Sequence, residues 1–273
     1  AVYSFGVPIG SALGILFGGF IATHVDWRTA FIIVGAAGVL VAPIFKMVVR
    51  EPRRGRFDAP QATPSAPAGF GEVMRVLARK PSFWGLSFGA AASSMMGYGL
   101  FFWLPSFLVR SYGLSLLEAS VFFGTILFFG GIAGLWLGGS LADRLGTARR
   151  RVYAYIPAAA LVATIPFYLF GVTSSSLVVA FFLLLVPTGL GLVWLGPVLS
   201  SIQHVVPPNM RTTASAIFLF INNLIGIGLG TVMLGVMSDV LSARYGADSL
   251  RYAILAGTSF YLVAAALFLL SAR

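Results

Sequence analysis

The 273-residue sequence contains no cysteine. That excludes disulfide bonds and thiolate metal ligation and leaves the redox compartment unreadable. Charge is scarce: Asp, Glu, Lys and Arg make up 10% of the chain, against roughly 25% in a soluble domain. Negative charge is scarcer still, with 8 acidic residues against 18 basic ones. Clustered nucleophiles, acid–base pairs and metal-ligand sets are missing as well, so the sequence is not that of an enzyme and no cofactor is expected. His24 and His204 stand alone near the ends of apolar runs, without a second His or carboxylate at ligand spacing. They are read as interfacial, and no metal is expected. Gly226-Ile-Gly-Leu-Gly230 lacks a preceding strand and lies within an apolar run, which makes it a helix-packing stretch and not a nucleotide loop.

What the sequence has in abundance is apolar length. Hydrophobic residues make up 58% of the chain, and charge-free windows run over 1–25, 29–45, 81–109, 119–142, 152–210, 212–238 and 252–272. A bilayer needs about 20 residues per helical crossing. The window 29–45 extends towards 49 if Lys46 snorkels. The longest window must fold back on itself, and Gly171-Val-Thr-Ser-Ser-Ser176 is its turn. The expected fold is all-α: a polytopic bundle with eight transmembrane helices.

Basic residues orient the bundle. With 50–80 inside, 14 of the 18 Lys and Arg fall on the cytoplasmic face, leaving Arg28, Arg110, Arg244 and Arg251 outside. The positive-inside rule therefore puts the 50–80 segment and Arg273 in the cytoplasm, in a plasma membrane or a bacterial inner membrane. The net charge of +10 faces anionic lipid and calls for no nucleic acid partner.

Between two long apolar runs lies Gly139-Ser-Leu-Ala-Asp143-Arg144-Leu-Gly146-Thr-Ala-Arg149-Arg150-Arg151. Gly139 suits close helix approach, Asp143 and Arg144 are expected to form an ion pair at the membrane surface, Gly146 permits a sharp turn, and Arg149 and Arg150 stay cytoplasmic. This G-x-x-x-D-R-x-G order followed by basic residues resembles the loop motif of the major facilitator superfamily, with Thr147 and Ala148 inserted before the arginines. The resemblance implies a gating loop in a transporter of twelve helices in two halves.

An internal correspondence fits that resemblance. Glycines 10, 14, 18 and 19 precede Asp26-Trp-Arg28-Thr-Ala30, and glycines 226, 228, 230 and 235 precede Asp248-Ser-Leu-Arg251-Tyr-Ala253. Both read as a small-residue helix, an outside turn and a return helix opening on Arg-x-Ala. Residues 1–49 then stand as the last two helices of an N-terminal half and 81–273 as a six-helix C-terminal half, so the chain is expected to be a fragment lacking four helices. Residues 50–80 form a cytoplasmic linker in which Phe70, Val73, Met74 and Leu77 mark one face of an interfacial helix.

Gly10-x-x-x-Gly14-Ile-Leu-Phe-Gly18-Gly19 resembles the superfamily's fifth-helix motif, and its small residues are expected to pack helix against helix. Val7–Gly14, Lys80–Phe83, Trp103–Leu108, Asn223–Gly230 and Ser249–Ala253 are similar to the Spinster branch, lipid transporters and their bacterial relatives.

A substrate site is expected at mid-depth on helices that line a cavity. Ser94 and Tyr98 sit centrally in one span, Asn222 and Asn223 in another, and Trp194 beside Gly189, Gly191 and Pro197, where a helix can bend. No Asp, Glu, Lys or Arg is central in any span, so a proton-coupling group is expected elsewhere or transport is uncoupled. The resemblance implies secondary active transport by alternating access. The neutral and aromatic groups suit an amphipathic or weakly charged organic solute, such as a lysolipid, drug or organic anion. A non-transporting receptor or assembly subunit of the same fold is the alternative. Partners are then the solute and membrane lipid, with the complete protein monomeric.

Overall fold

The computed structural model of the chain describes residues 2–49, 68–146 and 151–272, and every regular element among them is helical. Helices α1 (Gly6–His24) and α2 (Trp27–Val48) form a hairpin. Asp26 caps α2: its Oδ2 accepts from the Thr29 hydroxyl at 2.7 Å and its Oδ1 from the Thr29 backbone N–H at 2.9 Å. Those two bonds, the hydroxyl's first, hold the Asp26 carboxyl below the usual carboxylate range.

The short helix α3 (Phe70–Ala78) buries Val73 and Leu77 against the bundle and leaves Phe70 exposed. It stops before Pro81, the first residue of α4 (Pro81–Tyr112), and the Trp84 Nε1–H donates to the Leu77 carbonyl at 3.0 Å across the break. Helix α5 (Leu116–Gly146) follows, then α6 (Val152–Thr173). The expected turn falls at Ser174–Ser176, where the Tyr112 hydroxyl donates to the Ser174 carbonyl at 2.7 Å.

The next crossing, Leu177–Val205, is split into α7 (Leu177–Leu190) and α8 (Leu195–Val205). Pro187 lacks an amide hydrogen, and residues 191–194 turn through short bonds, Leu192 N–H to the Gly189 carbonyl and Val193 N–H to the Leu190 carbonyl. Helix α9 (Arg211–Asn223) passes through a π-helical segment, Leu224–Leu229, into α10 (Gly230–Tyr245). The chain reverses at Gly246, whose φ of +53° favours glycine. Helices α11 (Ser249–Gly257) and α12 (Ser259–Ser271) make the final crossing, jogged at Thr258. Among the described residues seven helical stretches are long and apolar enough to span a bilayer, and the last, Pro208–Ser271, contains the Gly246 reversal and so counts twice. Eight crossings result, as expected.

Lipid gives apolar side chains no reason to prefer one another, so close backbone approach at small residues holds such a bundle together. Gly130, Gly134 and Gly138, one turn apart on α5, face the α7 end and the break after it. A Cβ on Gly130 would lie 2.7 Å from the Leu185 carbonyl oxygen, and one on Gly189 2.6 Å from that of Gly130. Gly134 and Gly138 abut the backbones of Gly189 and Val193. On α4, Gly89 admits the Phe268 ring of α12 to 2.9 Å from where a Cβ would stand.

The glycines of α1 behave differently from expectation. Nothing lies within 4 Å of a Cβ on Gly10, Gly14 or Gly18, and only Gly19 makes a helix contact, against Ser120. The reason is rotational: α1 turns Pro8, Ala12 and Leu16 towards α5, where Pro8 meets Gly131 and Leu16 meets Gly124. Residues two positions on sit about 200° round the helix. On α2 the buried residue is Ala30.

Candidate functional site: a neutral cavity at mid-depth

Small residues on α4 let the α9–α10 crossing come close. Gly226 stands against the Ser94 side chain and Gly230 against the Met95 backbone. The π-helical segment shifts the register between them, and the Trp103 Nε1–H donates to the Thr231 carbonyl at 2.7 Å while its ring fills the notch at Gly235. No water enters a bilayer core, so a disturbed helix needs such internal partners. The result holds Asn222 against α4, where the Ser94 hydroxyl donates to Asn222 Oδ1 at 2.8 Å, both side chains buried. Asn223, one residue on, is exposed.

Opposite, the break between α7 and α8 turns Trp194 inward to 5% exposure. Between these elements lies a cavity of about 490 Å³. Ser94, Tyr98, Trp194, Asn222 and Asn223 all line it, so the five mid-depth residues picked out in the sequence converge on one space. Val7, Pro8 and Ser11 of α1 contribute to the wall beside Leu135 of α5. None of the described lining residues is Asp, Glu, Lys, Arg or His. This wall offers hydroxyl, amide and indole hydrogen-bonding groups among aromatic and aliphatic surface, and no fixed charge.

Five further polar residues line the same wall without standing out in the sequence: Ser11, Ser93, Tyr168, Thr188 and Tyr261. Tyr168 of α6 and Tyr261 of α12 are buried with ring centroids 6.0 Å apart and planes 13° apart. Mid-span tyrosines carried the available signal, since a hydroxyl in hydrocarbon needs a partner. Their spans, however, read as ordinary apolar crossings, and only the tertiary fold brings α6 and α12 together behind the α7–α8 break.

The loop motif differs in detail from expectation. Asp143 and Arg144 are exposed on the last turn of α5 and do not pair with each other; the ion pair among the described residues is Arg251 with Asp248, at 2.9 Å. Adjacent helical residues point about 100° apart and so do not face one another. Gly139 is buried, with its Cα 3.6 Å from where a Cβ on Gly196 of α8 would stand. Gly146 provides close approach: the Tyr153 ring lies where a Cβ would be, whereas the positive-φ glycines among the described residues are Gly113 and Gly246. Arg149 and Arg150 lie outside the described residues.

His24 bonds its own helix, Nδ1 to the Phe20 carbonyl at 2.8 Å, and no group of three or more His, Cys, Asp or Glu capable of holding a metal occurs among the described residues.

Residues 1–231 match the Major Facilitator Superfamily. The chain belongs to that superfamily. As such it is an integral membrane protein of a transporter family and not an enzyme. It is 34% identical over 255 residues to an MFS-type efflux pump of Mycolicibacterium smegmatis, covering 93% of this chain and 58% of the pump. It is 29% identical over 262 residues to human Protein spinster homolog 1, covering 90% of this chain and 49% of that protein. The chain thus spans about half the length of the curated relatives it matches. Among solved structures, a bacterial homologue of the human lysosomal transporter Spinster, inward-facing and unoccupied, superposes with a TM-score of 0.82 at 29% identity, covering 100% of this chain and 70% of that one. The branch likeness to Spinster agrees with the five short stretches that first pointed to it.

Proposed function

We propose that this chain forms part of a secondary transporter that carries an amphipathic, uncharged or weakly charged organic solute by alternating access, binding it in the mid-depth cavity. The observation that carries this reading is the cavity itself: about 490 Å³, with no Asp, Glu, Lys, Arg or His among its described lining residues. Burying an unpaired charge against such a wall is expensive, whereas an aromatic or aliphatic body with a few hydrogen-bonding groups fits it. Lysolipids and lipophilic drugs meet that description. Ser94, Tyr98, Trp194, Asn222 and Asn223 are the proposed solute contacts.

In this reading residues 1–49 serve as two helices of one half and 81–273 as the six-helix other half, joined by the cytoplasmic linker 50–80 that includes α3. The halves rock about the shared site. The Gly139–Arg150 loop bears on the inward gate, and Asp143 acts on conformation without touching the solute. The basic face of the protein lies in the cytoplasm, and the working unit is one copy.

Proteoliposomes containing the gene's complete product test this directly. Under an imposed ion gradient they should take up lysophosphatidylcholine or the weakly basic drug puromycin saturably, and Asp143→Asn should change turnover while leaving equilibrium binding of the same probe within about twofold. A gradient that drives no saturable uptake of any amphipathic probe would refute the proposal.

A further inference from the structure

Four polar side chains of the cavity lie apart from the Ser94–Asn222 pair. The register of α4 on α12 places them. A Cβ on Gly85 would lie 3.3 Å from the Leu267 carbonyl oxygen, Gly89 faces Phe268 and the Ala264 carbonyl, and a Cβ on Gly257 would lie 2.8 Å from Met96 Sδ. Reading between those contacts, Ser93 is level with Tyr261. Ser94, one residue on, points about 100° away, towards α9. The two adjacent serines therefore serve different neighbours.

Ser93 is 1% exposed, lies on the cavity wall, and its Oγ has no hydrogen-bond partner among the described residues. An unpaired buried hydroxyl is a cost to the folded state and calls for a reason. On the same cavity wall are Tyr261, stacked on Tyr168, and Thr188, whose hydroxyl donates to the Leu184 carbonyl at 2.8 Å and keeps its lone pairs available. The Tyr261 hydroxyl reaches the broken helix, 3.5 Å from where a Cβ on Gly191 would stand. This end of the cavity is backed by α6, α7 and α12, whereas Ser94, Asn222 and Asn223 are on α4 and α9.

We propose that Ser93, Tyr168, Thr188 and Tyr261 form a second polar subsite, which receives an uncharged hydrogen-bonding group of the solute, a hydroxyl, carbonyl or amide, behind the α7–α8 break. The inference rests on the transport reading and deepens it by naming the chemistry of one end of the solute. Ser93 supplies a hydroxyl that both donates and accepts. The two phenols do the same, and the absence of Asp, Glu, Lys, Arg and His among the described lining residues selects for a neutral partner. Apolar surface from Phe101, Leu104, Phe123 and Leu127 lies along the same wall and takes the body of the solute.

The test uses prodan, an uncharged naphthalene dye whose ketone accepts hydrogen bonds and whose emission moves to the red when it does. The gene's complete product, in lipid nanodiscs and with the signal of empty nanodiscs subtracted, is titrated with prodan as wild type, Ser93→Ala, Ser93→Thr and Tyr261→Phe. Loss of one neutral hydrogen bond should weaken binding about fivefold in Ser93→Ala and Tyr261→Phe. The emission of the dye that remains bound should shift to the blue, and Ser93→Thr should restore both. Because Ser93 has no partner in the unliganded protein, Ser93→Ala should also raise the unliganded melting temperature, which a hydroxyl serving only the fold would not do. Unchanged affinity and emission in both hydroxyl-deleting variants, or no saturable prodan binding to wild type, would overturn the subsite. Failure of the transport reading is separate: it would appear as intact prodan binding without gradient-driven uptake.

Discussion

The α1–α2 hairpin and the crossings formed by α9 to α12 carry the same pattern in sequence and use it differently. Each has a glycine-spaced helix, an acidic turn residue and a return helix opening on Arg-x-Ala. In both, the alanine of that triplet is buried, Ala30 at 8% exposure and Ala253 at 0%. The glycines diverge. Gly226, Gly230 and Gly235 receive Ser94, Met95 and Trp103 of α4, while Gly10, Gly14 and Gly18 have nothing within 4 Å of a Cβ. The turns diverge too: Asp26 caps its helix through Thr29, with Arg28 4.5 Å over the Trp27 ring, whereas Asp248 pairs with Arg251 at 2.9 Å. Glycine spacing makes a close approach possible, and the neighbour on that face decides whether it happens.

The largest effect that would break the comparison is at the glycines. Gly230→Leu should push α10 off the Met95 backbone, which cannot yield as a side chain can, and should destabilise the protein by about 1–3 kcal/mol or more. Gly14→Leu should change stability by no more than a few tenths of a kcal/mol, as usual for substitutions that touch nothing. Thermal unfolding of the two variants in the same detergent decides the matter. Equal losses would mean that the α1 stripe is packed by something beyond the described residues.

A smaller effect is expected at the pair that has no counterpart in the α1–α2 hairpin. Asn222→Ala removes the acceptor of the buried Ser94 hydroxyl and should cost about 1–2 kcal/mol, part of which Ser94→Ala should recover in the double variant. Strict additivity of the two single changes, read by chemical unfolding, would show that the hydrogen bond contributes nothing.

The smallest effect concerns the turns and depends on pH. The folded-state pKa of Asp26 is depressed by Thr29, so its contribution is present above the carboxyl's unfolded pKa and is lost as pH falls through the folded value. Amide exchange at Thr29 should therefore rise, relative to its own intrinsic rate, below the ordinary carboxylate range in wild type. In Asp26→Asn that relative rate should not vary with pH. An identical relative pH profile in both proteins would remove the cap from the account.

Much of this architecture was legible because membranes impose long apolar lengths and charge asymmetry on the sequence. The eight crossings, the turn near Ser174 and the break beside Gly191 all follow from run length, Pro and Gly placement. So did five residues of the cavity, because a polar or large aromatic group at mid-depth needs somewhere to point. What could not be read was rotation. A helix surrounded by apolar residues has no polar face to fix its azimuth, so the sequence could not say that α1 presents Ala12 to α5 in place of Gly14, or that Ser94 bonds Asn222 while Ser93 beside it has no partner among the described residues. The Asp143–Arg144 pairing failed for a local reason, since neighbours along a helix diverge. Tyr168 and Tyr261 escaped because their meeting depends on α6 and α12 packing together across 93 residues of chain.

The central claim is that the solute occupies the space bounded by α4, α9 and the α7–α8 break. These 273 residues contain no cysteine, so a thiol placed there is the single one among them, and any cysteine elsewhere in the gene's complete product is first replaced by serine. Asn222→Cys in the gene's complete product, treated with a charged methanethiosulfonate reagent, should lose most gradient-driven uptake of lysophosphatidylcholine or puromycin, and saturating probe should protect it. Leu262→Cys, at a half-exposed position on α12 outside the cavity wall, should keep its uptake under the same treatment. Full uptake by modified Asn222→Cys, with modification confirmed by mass, would contradict the account.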